Sequence, residues 1–245
     1  MHEGEGIILK KMIGLEIKKI RHTFLQPLIL LSLIGPLLMI TVINAIDSDK
    51  TFLEVVVSNS VFVQMIPFAV TVIFGCFIVA REYKENMMVY LKIMPHSQVK
   101  IMFSKIIVIV LELWLTQIIT FIMLFLINTV IEGYDIDILL KYIGAGLISA
   151  TTFSCLVPLI VFISLLRRNF SGSALILLII FMMTFPFIFS ENGYIFPHLL
   201  PMILVAKSFG SSVYNKISFL GGTLILIGIA TIFYCLSIRI AKKKE

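Results

Sequence analysis

The chain has 245 residues, of which 59% are apolar and only 14% charged, with a formal charge of +6. Soluble domains hold roughly 25% charged residues, and a soluble chain of this length could not hide so much apolar surface. The positive balance does not indicate nucleic acid, because the basic residues fall in the gaps between apolar runs, as membrane proteins distribute them.

In chain order, residues 7–22 predict the first helix. At 100° per residue, Ile8, Leu9, Met12, Ile13, Ile17 and Ile20 gather on one side and Lys10, Lys11, Gly14, Lys18 and Arg21 on the other. Glu16 and Lys19 fall off this pattern, at the apolar border. A basic amphipathic helix just before a span is expected to lie in the membrane interface against anionic headgroups. The charged start and the length of the first apolar run do not suit a cleaved signal peptide.

Spanning the hydrocarbon core takes about 20 helical residues. Apolar runs of that order occur at 24–46, 58–80, 103–131, 139–166, 173–190 and 218–238. The fold class expected is an all-α integral membrane protein with six transmembrane helices in one domain, 1–245. Cys76, Cys155 and Cys235 lie far apart within apolar runs and read as apolar filling, with neither a disulfide framework nor a metal site indicated.

Lysine and arginine counts orient the spans. Lys10, Lys11, Lys18, Lys19, Arg21, Arg81, Lys84, Lys92, Lys100, Lys105, Arg167, Arg168, Arg239 and Lys242 to Lys244 fall on one side; Lys50, Lys141, Lys207 and Lys216 fall on the other. The crowded side, with both termini, is expected to be cytoplasmic. Residues 191–210 contain an apolar stretch, 195–206, too short to span. It is expected to dip into the outer leaflet and return, with Pro197 and Pro201 breaking the helix. Such backbone survives at membrane depth only where protein or a watery cavity shields it.

The connection from Arg81 to Gln98 opens with a charge cluster, continues through Met87, Met88, Leu91 and Met94 at helical spacing, and stops at Pro95. It predicts a short helix over 82–95 on the cytoplasmic surface, presenting Glu82, Lys84 and Glu85 to the cytosol. Glu112 is the one acid within a span, and buried carboxylates in membranes are costly. Three readings stand for it: lining a pathway, pairing with a basic residue of another helix, or, since Lys105 lies seven residues earlier on nearly the same face, a structural role near the cytoplasmic interface.

With this layout, the sequence resembles the permease subunits of type-2 ABC exporters, and within them the bacitracin-export and lantibiotic-immunity branch. Arg81-Glu82, Glu85, Leu91, Pro95 and Lys105 fit a phrase of that branch, although Asn86-Met87 replaces its glycine-threonine pair and no arginine follows in His96-Ser97-Gln98. Phe196-Pro197 and Pro201 fit a second phrase, with His198 where tryptophan is frequent.

The resemblance implies an elbow helix at 7–22, a coupling helix at 82–95 and a re-entrant hairpin at 191–210. It implies that Glu82, Tyr83, Lys84, Glu85, Met88, Leu91, Met94 and Pro95 dock on a separate ATP-binding subunit, which uses ATP and Mg, while this chain binds no cofactor. It further implies a second permease copy or homologue, a bacterial plasma membrane, and export of an amphipathic antimicrobial peptide or peptide antibiotic. Other expected cargoes are an amphipathic drug or a lipid-linked compound; from another class, the alternatives are an ion channel or a non-transporting scaffold. The chain carries no GxxxxGK[ST], HExxH or GxSxG motif and no paired glutamates of the intramembrane-protease kind, so no catalytic residue is expected.

Overall fold

The computed structural model describes residues 12–20, 23–47, 49–84, 98–190, 193–210 and 218–242. Among them every regular element is helical: α1 (12–20), α2 (Leu25–Ile46), α3 (Phe52–Ser58), α4 (Ser60–Lys84), α5 (Gln98–Glu132), α6 (Ile136–Ser154), α7 (Val157–Arg167), α8 (Phe170–Thr184), α9 (Leu200–Ser208) and α10 (Phe219–Lys242). Two short 3-10 turns, Phe185–Phe189 and Gly193–Ile195, lie between α8 and α9. Among the described residues, six stretches are long and apolar enough to cross a membrane, with α6 and α7 together forming the fourth.

Helix α4 is the axle of the bundle. It touches α2, α5, α7, α8 and α9, and it is the most buried of the six spans, whereas α2 and α10 are the least. Its contact with α7 is close because Gly75 has no side chain; a Cβ there would meet Ile160 Cγ2 at 2.9 Å. The core around α4 includes Phe74, Val79, Ile109, Leu113, Phe153 and Val157. A second cluster, with Phe52, Val56, Phe121, Phe125 and Tyr142, joins α3 to α5 and α6. The apolar faces left open on α2, α8 and α10 suit lipid or another subunit.

Local chemistry explains where the helices differ from the expected runs. The fourth run breaks at Cys155-Leu156 because Pro158, in the first turn of α7, has no N–H to give and its ring displaces the carbonyl of the preceding turn. The connection after α2 is not a plain loop. Thr51 accepts from Glu54 N while the Glu54 carboxylate accepts from Thr51 N, a capping box that starts α3. Phe52 N then donates to Glu132 Oε1 at the far end of α5. At 35 residues, α5 is about 52 Å long and outreaches a hydrocarbon core of about 30 Å.

Two expectations are corrected here. Helix α4 runs through Arg81, Glu82 and Tyr83 to Lys84, so Glu82 belongs to the last turn of a span and not to a separate surface helix. Pro201 does not break a helix; it lies in the first turn of α9, where its missing N–H is needed by no partner. Pro197 sits in the turn before it. Residues 200–206 of α9 are all buried, packed on α4, α6 and α10.

Candidate functional site at the basic end

One end of the bundle gathers α1, the end of α4 and the beginning of α5. Lys105 Nζ lies 2.7 Å from Glu82 Oε1 and 3.1 Å from Glu16 Oε2. Lys19 Nζ lies 2.9 Å from Glu16 Oε1 and 3.3 Å from Glu82 Oε1. Two acids and two lysines thus alternate and cancel in charge. Arg81 Nη1 donates to the Lys19 carbonyl at 3.0 Å, which fastens the backbone of α1 to α4 as well. Nearby, the Arg168 guanidinium lies 5.8 Å from the centre of the Tyr83 ring, bringing the end of α7 to the same place.

Burial makes these pairs strong and exacting. Glu16, Glu82 and Lys105 are buried, while Lys19 remains about one-third exposed. A buried charge is tolerated only when paired, and each of these has more than one opposite partner. Burial pushes the Glu16 carboxyl upward, but Lys105 and Lys19 outweigh it and hold the group below its ordinary value. Burial likewise pulls the Lys19 ammonium down, and Glu16 with Glu82 more than compensates, leaving it raised.

This cluster shows why Glu16 and Lys19 are off-pattern in an amphipathic helix: both turn toward the bundle. It also means that Glu82 is not presented to the cytosol, contrary to expectation, because Lys105 and Lys19 hold it inside. Tyr83 is half-buried beneath Arg168, and Lys84 ends α4. Glu85, Met88, Leu91, Met94 and Pro95 lie outside the described residues.

Glu112 lies seven residues beyond Lys105, about 10 Å along α5. It is buried, at 8% exposed, and its Oε2 accepts from Thr71 Oγ1 of α4 at 3.0 Å. Among the described residues its side-chain partner is a hydroxyl and not a lysine or arginine. It lines a groove of about 640 Å³ between α1, α2 and α5. In the segment before α9, His198 Nε2 lies 2.6 Å from Thr184 Oγ1. No group of three or more potential metal ligands occurs among the described residues.

A bundle of six apolar spans, with charge concentrated where helix ends converge, defines a multi-pass membrane protein. The chain belongs to the ABC-2 family of transporter proteins, whose sequence pattern matches residues 12–186, about seven-tenths of its length. It is therefore a type-2 ABC permease, the membrane component of its transporter and not the ATPase, and membership implies an ABC-type ATP-binding partner. Comparison with curated proteins gave no match.

Proposed function

We propose that this chain is the permease subunit of an exporter, with its basic end in the cytosol and residues 82–95 coupled to the ATP-binding subunit. The observation that supports this most is the ion cluster. Glu82 lies in the last turn of the helix that leads into 85–97, Lys105 lies in the helix that leads out, and the pair they form is tied to α1 through Lys19 and Glu16. A push on the intervening segment then moves α1, α4 and α5 together, as one rigid body, because the cluster resists the separation of its charges. Glu82 thus acts from inside as a positioning residue, while Glu85, Met88, Leu91, Met94 and Pro95 supply the contact.

Six spans make half a pathway, and a second copy or a homologue completes it. Helix α1 lies as an elbow in the cytoplasmic interface. The turns before α9, with α9 itself, form a hairpin that enters from the outer side and returns. The cargo is an amphipathic antimicrobial peptide or peptide antibiotic, carried outward across a bacterial plasma membrane. This cargo rests on the resemblance to the bacitracin and lantibiotic branch; another amphipathic drug or a lipid-linked compound is the alternative.

The test is expression with and without the ATP-binding subunit, scored by survival against a panel of antimicrobial peptides. Protection that needs both subunits, and that falls on charge reversal at Glu85, supports the proposal. Failure to co-purify any ATPase, together with unchanged survival after the reversal, assigns the chain to a channel or scaffold.

A further inference from the structure

The groove beside Glu112 combines features that the ion cluster does not use. Its walls are Ile17, Ile20, Ile29, Phe74, Leu111 and Leu115, with Lys18 and Gln26 also lining it. Ile17, Leu111 and Leu115 are each about half exposed, so the groove is open on the apolar flank of the bundle. Its volume of about 640 Å³ falls within the range of roughly 300–1,000 Å³ typical of small-molecule sites.

Within these apolar walls stands a carboxyl group that is more than nine-tenths buried. Glu112 Oε2 is satisfied by Thr71, but Oε1 has no hydrogen-bond partner among the described residues. A carboxylate accepts several hydrogen bonds, and an unpaired one in a membrane interior is strongly disfavoured. Lys105, the nearest lysine on the same helix face, is occupied by Glu16 and Glu82. A cation would supply the missing partner, and the surrounding hydrocarbon requires that it come with an apolar body.

We propose that the groove between α1, α2 and α5 binds a lipophilic amine that enters sideways from the bilayer, its ammonium on Glu112 and its hydrocarbon along Ile17, Ile29, Leu111 and Leu115. Among the described residues that line the groove, an inorganic cation finds a single carboxylate and no other charged oxygen, too few ligands to replace its water. A fatty acid would meet Lys18 favourably but would place its carboxylate against Glu112. As a cargo site this rests on the exporter proposal; as a binding site it does not, and binding is measured without the ATPase.

The experiment uses the full chain in nanodiscs of zwitterionic lipid, with a diazirine-bearing long-chain primary amine and its alcohol and carboxylate analogues as probes. Expected are adducts on α5 near Leu111 and Leu115, stronger for the amine than for the alcohol and displaced by dodecylamine. Glu112→Gln should weaken displacement by about tenfold or more, because a buried charge pair is lost. Leu115→Trp, which fills the groove and leaves Glu112 intact, should cut amine labelling without lowering the melting temperature. Equal labelling by amine and alcohol, preference for the carboxylate probe, or amine preference unchanged in both variants would overturn the proposal. Those results would leave a survival phenotype dependent on the ATP-binding subunit untouched, so the two proposals fail separately.

Discussion

Lys105 Nζ lies 2.7 Å from Glu82 Oε1, so a buried ion pair closes the two helices on either side of residues 85–97. Residues 82 and 105 are far apart in sequence, and the pair is shared with Glu16 and Lys19 of α1. The helix ends that flank residues 85–97 are thereby held together with a third helix, α1.

Removing one member of this cluster is expected to have effects graded by burial. Lys105→Met leaves Glu16 and Glu82 facing each other with only the partly exposed Lys19 between them, and should cost about 3 kcal/mol or more. Lys19→Met should stay within about 1 kcal/mol, because solvent already screens that side chain. Glu82→Gln combined with Lys105→Met should cost less than the two single changes added together. Melting in detergent, followed by the single tryptophan, Trp114, whose Nε1 donates to Ser154 Oγ at 2.9 Å, measures all three.

The same cluster sets a pH dependence. The Glu16 pKa is lowered from 4.5, so its contribution is complete above that value and is lost as pH falls through the folded-state value. The Lys19 pKa is raised from 10.5, so its contribution is complete below that value and is lost as pH rises through the higher folded-state value. Stability from these two groups should be level in between and decline on both sides. In Glu16→Gln the acid decline should become shallower when melting temperature is followed against pH.

Gly75 governs the contact of α4 with α7. Gly75→Ala brings a methyl group to 2.9 Å from Ile160 Cγ2 and should destabilise the bundle by about 1–3 kcal/mol, the usual range for overpacking. Adding Ile160→Ala removes the clashing methyl. The double variant should melt above the sum of the two separate losses; strict additivity would show that the two positions do not meet.

Thr51 begins α3 with its hydroxyl. Thr51→Ala removes that cap and should cost about 1 kcal/mol, while Thr51→Asp, which retains an acceptor, should melt close to the parent.

Hydropathy alone marked all six spans, because a helix that crosses hydrocarbon must be apolar for most of its length whatever it packs against. Breaks within an apolar run escape this measure: Pro158 splits the fourth span without changing its hydropathy. The capping box at Thr51 and Glu54 was legible five residues after the end of α2, yet so short a helix disappears inside a connection. Arg81 to Lys84 looked like the end of the membrane, although Arg81 and Glu82 are held by α1 and α5 and so continue the helix. Glu16 and Lys19 carried the one usable signal for the cluster, as charges on the wrong side of an amphipathic pattern. Which distant charges they would meet depends on how α1 folds back, and no local pattern specifies that.

The most direct test is a photo-crosslinking amino acid at position 88, in cells that express the ATP-binding subunit. The account predicts an adduct between this position and that subunit, and none from position 134, in the turn between α5 and α6 at the opposite end of the bundle. Adducts to the ATP-binding subunit from position 134 instead of 88, or labelling of position 88 by a membrane-impermeant reagent added outside intact cells, would contradict it.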